Sequence, residues 1–271
     1  MDSFIHVGDH RFQVDLNSPN DISIPVDFEG DQLNYFNVQD PKSRPYETEK
    51  IKGSTLLGGG CNFDIVSIIP HCHTTHTECV GHIVDESILI NSFALNGLKS
   101  AYVISVTPES GLGKNEKLSD YHCSTDKVIT GGMMENKIGD LDFPVEVLVV
   151  RTLPNSNEKL TMKYNRKNIP PYFSLSAIEV IKKLNIIHLC IDLPSLDRAI
   201  DGGSLAGHHL FWDIPMNTHS LSQKEPSTST ITELIFVPNE IKDGIYFINL
   251  QVANLSLDAS FSRPVLYPII T

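Results

Sequence analysis

Pro70-His-Cys-His-Thr-Thr-His-Thr-Glu-Cys-Val-Gly-His82 is the stretch on which the reading of this chain turns. It packs four of the chain's eleven histidines into twelve positions, with one glutamate among them. Imidazole and carboxylate together are the usual nitrogen and oxygen ligands of zinc, manganese and iron. Cys72, His76, Glu78 and His82 share parity, so an extended backbone would point all four to one side. Fully stretched, though, the run from Cys72 to His82 would span ~33 Å at ~3.3 Å per residue, too far for one site. The segment must therefore bend, at Gly81 and within Cys72-His-Thr-Thr75. His76 and Glu78, two apart, can reach one metal or two metals that share the carboxylate.

Working outward, short β-branched runs bounded by Gly, Pro, Asn or Asp predict strands at Ile22–Val26, Phe63–Ile69, Ser100–Val106 and Val145–Arg151. Asp85–Asn91 fits strand or loop. One helix is predicted after Ser174, a plausible N-cap, with Ile178, Val180, Ile181 and Leu184 at helical spacing up to Lys182-Lys183. Ile186–Ile191 then reads as a buried strand. Asp192-Leu-Pro-Ser-Leu-Asp197 breaks regularity, and Leu234–Val237 and Gly244–Val252 read as closing strands. Ser222 to Thr232 reads as an exposed, mobile polar loop. No repeat or linker divides the chain, so one strand-heavy α/β domain over residues 1–271 is expected.

Composition sets limits on the partners. With 21 basic and 33 acidic side chains the formal charge is −12, which repels nucleic acid at long range. No stretch nears the ~20 unbroken apolar residues of a membrane helix. Five cysteines without a CxxC pair fit neither a disulfide framework nor a zinc knuckle, and Met1–Arg11 lacks the pattern of a secretory signal. A reduced, cytoplasmic protein with a small-molecule substrate is the expectation. Cys72 or Cys79 beside imidazoles could also act as a nucleophile, a different enzyme class.

The run Thr74-Thr75-His76-Thr77-Glu78-Cys79-Val80-Gly81-His82 resembles the signature H-x-G-T-H-x-D-x-P-x-H of the cyclase family of metal-dependent hydrolases, which includes kynurenine formamidase of tryptophan catabolism and isatin hydrolase. Ile191-Asp192-Leu-Pro-Ser-Leu-Asp197, then Gly207-His208-His209, then Thr232-Glu233-Leu234 are similar to later family elements in the same order. Asn20-Asp-Ile-Ser-Ile-Pro25 resembles the family's opening strand. The chain departs from the pattern at Cys72, in register with the first family histidine, and at Glu78, which stands for an aspartate. His71 replaces Cys72 if one residue bulges there, and a mixed oxygen/nitrogen site favours His71.

The resemblance implies a central barrel-like mixed β-sheet with flanking helices, of the swivelling β/β/α type. It implies one zinc or manganese ion on His71 or Cys72, His76 and Glu78, and a second on Glu78, His208 and Glu233. His82 would stand beside them as general acid and base. It also implies a homodimer or higher homo-oligomer. Such parts suit hydrolysis of an amide, formamide, lactam or lactone: a metal supplies hydroxide near neutral pH, and an imidazole protonates the leaving group. The substitutions at Cys72 and Glu78 motivate the rival reading, a non-catalytic binding protein on the same scaffold. Phe211 and Trp212, after the histidine pair, fit either a substrate-pocket wall or the core.

Overall fold

The computed structural model describes residues 3–270 apart from 94, 111–115, 140, 142, 222 and 224. Its frame is an eleven-stranded mixed sheet. Along the sheet the strands run Ser3–Val7, His10–Val14, Val265–Ile270, Gly244–Asn249, Leu98–Val106, Val147–Thr152, His188–Ile191, Thr230–Glu233, His76–Glu78 and Ala259–Phe261. The eleventh, Asn20–Asp21, pairs off this path with Val265–Ile270. The four strands from Leu98–Val106 to Thr230–Glu233 are parallel, and the pairs on either side are antiparallel. The order is linear: among the described residues no pairing joins its first strand to its last, so the expected barrel-like closure is not one of the ladders.

Four helices are described: α1 (Pro70–His73), α2 (Gly131–Ile138), α3 (Leu175–Lys183) and α4 (Ala206–Phe211). The α3 helix follows the sequence closely. Ser174 Oγ accepts from Ala177 N at 3.0 Å, and Ala177, Ile178, Val180 and Ile181 are buried against α2, α4 and the parallel strands. Ile178, Val180 and Ile181 each contribute about 1.5–3 kcal/mol over the exposed state. No helix among the described residues is long and apolar enough to cross a membrane.

Several expectations need correction. Thr230–Thr232, read as part of an exposed loop, is a fully buried strand. Its hydroxyls explain how: Thr230 Oγ1 lies 2.8 Å from His188 Nδ1, and Thr232 Oγ1 lies 2.8 Å from Thr77 Oγ1, so each buried polar atom has a partner. Within the same loop Ser222 and Lys224 lie outside the described residues, as do Met1 and Asp2 of the amino-terminal segment. Leu234–Val237 is no strand: Leu234 turns left-handed (φ 56°), and Ile235 makes a single bridge to Ser23. The apolar run Phe63–Ile69 does contain a strand, Asp64–Ser67, but it pairs with Lys42–Pro45 outside the main sheet and is exposed throughout. Ile22–Val26 keeps Ile22 and Ile24 buried yet carries only the bridge at Ser23. For Asp85–Asn91, whose sequence fits strand or loop, the structure has no strand.

Candidate functional site

Two short strands build the floor of the site. In the antiparallel pair of His76–Glu78 with Thr230–Glu233, Glu233 stands directly opposite His76. Directly opposed residues share a face, as do residues two apart, so His76, Glu78 and Glu233 project together. Thr75 holds this register: its hydroxyl accepts from Ile24 N at 2.8 Å and donates to the Leu234 carbonyl.

Both bends expected in the histidine stretch are present. Before the strand, α1 is a single helical turn with Pro70 in its first turn, where a missing N–H costs nothing. Consecutive residues on a helix point about 100° apart. His71 therefore faces Glu78, its Nε2 3.4 Å from Oε2, while Cys72 turns into an apolar cluster with Ile24, Leu33 and Tyr35. After the strand, Val80–His82 forms a 3-10 turn that brings His82 Nε2 back to 3.7 Å from Glu78 Oε2. Gly81 is required there, since a Cβ would sit 2.1 Å from the Ile88 carbonyl oxygen. His73, the fourth histidine of the stretch, points elsewhere, and its Nδ1 accepts from Ile69 N at 3.0 Å.

The distant segments converge on the same point. His208, on α4, places Nε2 3.0 Å from Glu78 Oε1 and 3.7 Å from Glu233 Oε1. Its Nδ1 lies 2.6 Å from Asp197 Oδ2, and Asp197 also accepts from the backbone N–H of Gly207 and His208. A carboxylate on one ring nitrogen fixes the imidazole's tautomer and aims the other, the arrangement seen around metal-ligating histidines. His209 is turned away, with Nδ1 3.2 Å from the Ile214 carbonyl. Trp212 belongs to the core, its ring tilted about 50° against that of His208 and its Nε1–H donating to Ser229 O. One member of the cluster has no signal in the sequence: Asp258, just before the strand Ala259–Phe261 that pairs with His76–Glu78. Its Oδ2 lies 3.0 Å from His82 Nδ1 and 3.3 Å from His71 Nε2.

Three groups here have donor atoms within 4.8 Å of one another: His71, His76 and Glu78; Glu78, His208 and Glu233; and His71, His82 and Asp258. Cys72 is in none. The first two coincide with the ligand sets the resemblance implies. His76 Nδ1 donates to the Thr74 carbonyl at 3.0 Å, which in the neutral ring puts the lone pair on Nε2, the atom that faces Glu233 Oε2 at 3.5 Å. His76 Nε2 and Glu78 Oε2 are buried without a hydrogen-bond partner. Leaving a buried polar atom unpaired costs about 1–3 kcal/mol. Lone pairs aimed at carboxylates in a buried nitrogen and oxygen donor set are what a divalent cation fits.

The electrostatics agree. Burial alone would push the His71 imidazole down, yet the Asp258 and Glu78 carboxylates facing it more than reverse this and raise it to about 10. His208 is likewise raised well above its ordinary value, burial being overcome by Asp197 and Glu78. Glu78 would be raised by burial, but His82, His208 and His71 hold it well below the carboxylate range. Asp258 is held low by His71 and His82. Burial pushes the Cys72 and Cys79 thiols up to about 11 and about 12, which removes the thiolate that a cysteine nucleophile needs.

A family model, Cyclase, described as "Putative cyclase", matches residues 14–198. No curated protein matches the sequence. Among solved structures, the chain is similar to a predicted metal-dependent hydrolase from Bacillus stearothermophilus, with 14% identity, a TM-score of 0.54, and coverage of 92% of this chain and 98% of that one. A structure described as a novel cyclase matches with a TM-score of 0.60 at 10% identity, covering 92% and 86%. Isatin hydrolase A from Labrenzia aggregata matches with a TM-score of 0.58 at 14% identity, covering 92% and 93%. At such identity these likenesses speak for the fold.

Proposed function

Because the chain belongs to the Cyclase family, we propose that it is a metal-dependent hydrolase that opens an amide, formamide, lactam or lactone bond. The observation that carries this reading is the convergence of His71, His76, Glu78, His208 and Glu233 into two groups of donor atoms that share Glu78. His71, His76 and Glu78 would hold one zinc or manganese ion, and Glu78, His208 and Glu233 a second. When bound, a divalent cation lowers the pKa of a coordinated water from about 15.7 to about 7 and polarises the carbonyl under attack.

The chain's own residues supply the rest. Asp258, bonded to His82 Nδ1, orients that ring so that Nε2 faces inward, toward Glu78. From there His82 can take a proton from the attacking water and deliver it to the leaving nitrogen or oxygen. Asp197 keeps His208 from rotating. A cleft of about 920 Å³ opens beside His82, walled by Tyr35, Phe36 and Tyr164. Its aromatic wall supports a flat, aryl-bearing substrate, so kynurenine-type formamides and isatin-type lactams are the first compounds to assay. The exposed apolar side chains Leu56, Leu57, Phe63 and Val66, beside the Lys42–Pro45 and Asp64–Ser67 pair, support self-association with a second copy. Light scattering on Leu56→Asp would show it as a loss of oligomer.

The decisive experiment compares zinc- or manganese-loaded protein with chelated protein on a panel of formamides, lactams and lactones. Turnover should require the metal, and His82→Ala should lower it while leaving metal content intact. Undiminished hydrolysis by chelated protein overturns the mechanism. Fewer than roughly half a metal per chain, after purification with metal supplied, returns the chain to a binding role.

A further inference from the structure

The seven side chains of the cluster divide by exposure. His76, Glu78, His208 and Glu233 are each no more than 5% exposed. His71, His82 and Asp258 are 27%, 28% and 34% exposed and form the rim, on which Asp258 and His82 stand outermost and the His71 Nε2 donor lies just below the surface, itself buried. These rim residues make a donor group of their own, with ligand atoms within 4.8 Å. Asp258 Oδ2 lies between His71 Nε2, at 3.3 Å, and His82 Nδ1, at 3.0 Å.

His71 links the two depths. The nitrogen that approaches Asp258 at the rim is the one that approaches Glu78 below it, 3.4 Å away. A neutral imidazole nitrogen has one lone pair, so it serves one cation at a time. The rim group and the buried group His71, His76 and Glu78 are therefore alternative seats. Divalent ions shed their water reluctantly, and replacing it ligand by ligand avoids a fully dehydrated ion at any stage. The buried donors His76, Glu78, His208 and Glu233 present no exposed ligand of their own.

We propose that His71, His82 and Asp258 form an entry site that captures a divalent cation from solvent and passes it to the buried ligands, with His71 as the ligand common to both seats. The inference rests on reading the buried groups as a resident metal site. It assigns Asp258 two successive tasks. While the buried seats are empty, Asp258 is a ligand at the rim. Once His71 is committed inward, Asp258 and His82 Nδ1 are left as a hydrogen-bonded pair, with His82 Nε2 facing Glu78.

The test follows uptake, not turnover. Cation-free full-length protein is mixed with Co²⁺, whose visible absorption reports its ligands, and with Zn²⁺ in the presence of a fluorescent indicator. The wild-type chain should show fast capture followed by slower transfer. Asp258→Asn and His82→Gln should each slow loading on the order of tenfold, by removing the charge or ligand that captures the ion, with the final number of bound ions unchanged. Wild-type loading rates in both variants overturn the entry site. A reduced final ion count in Asp258→Asn overturns it as well, because Asp258 would then be a resident ligand. If the wild-type chain takes up no cation at all, the resident-site reading itself fails, an outcome distinct from the other two.

Discussion

Replacing Glu78 with glutamine should remove both cations at once, because this carboxylate alone belongs to both buried donor groups. Its Oε1 lies 3.0 Å from His208 Nε2, and its Oε2 lies 3.4 Å from His71 Nε2. The effect can be sized by mass action. A cation at about a thousand times its Kd stabilises the folded state by ~4 kcal/mol per site. An unfolding entropy of ~2.1 cal/mol/K per residue gives ~0.6 kcal/mol per degree for a chain this long, so each occupied site should raise the melting temperature by ~7 °C. Zinc should therefore raise the wild-type midpoint by up to ~14 °C with both sites filled. His76→Ala and Glu233→Gln should each keep about half of that rise, since each removes a ligand from one group, whereas Glu78→Gln should keep almost none. Without cation, Glu78→Gln should itself lower stability by about 1.5–3 kcal/mol, because His208 loses one close carboxylate partner and keeps Asp197. Calorimetric melts with and without zinc, paired with elemental analysis, read all three quantities. If Glu78→Gln still binds two ions per chain, the shared-carboxylate geometry is wrong.

Other consequences are separable. His71→Ala should cost one bound ion while Cys72→Ser costs none, because Cys72 packs with Ile24, Leu33 and Tyr35 away from the donor atoms; elemental analysis distinguishes them. In cation-free protein His71 is raised to about 10, above its ordinary value near 6.5, so its stabilising contribution is complete below about pH 6.5 and lost as pH climbs through about 10. The melting temperature of cation-free protein should thus fall between pH 7 and 10. Cation affinity should rise over the same window, by up to about tenfold per pH unit for each proton displaced, in calorimetric titrations. Asp197→Asn should weaken binding at the Glu78, His208 and Glu233 group by ~10–100-fold in equilibrium dialysis, because the 2.6 Å contact that fixes His208 is lost.

Much of the site could be read from residue types and order. The bends on either side of His76–Glu78 follow from chain length against the size of one site, and α3 follows from its cap and apolar spacing. What the sequence misled on or left open has a physical cause. Thr230–Thr232 looks like loop because its hydroxyls are polar, and only partners such as His188 and Thr77 make burying them tolerable. The strand expected within Phe63–Ile69 is present, but its apolar run gives no sign that it pairs outside the main sheet and stays exposed. Polarity along a chain does not record what a neighbouring strand can satisfy or cover.

By itself the sequence determined the chemistry available: imidazoles and carboxylates in short range, at His76, Glu78 and His82, with His208 and Glu233 following in order. Tertiary structure alone decided which donors meet. One helical turn at Pro70–His73 turns His71 toward Glu78 and Cys72 into the core, a choice made by the ~100° step between helical neighbours. Asp258 enters the cluster from 176 positions beyond His82 only because its strand pairs beside His76–Glu78. Ligand type is a property of the side chain, but convergence is a property of the backbone that carries it, and local sequence does not encode distances across the fold.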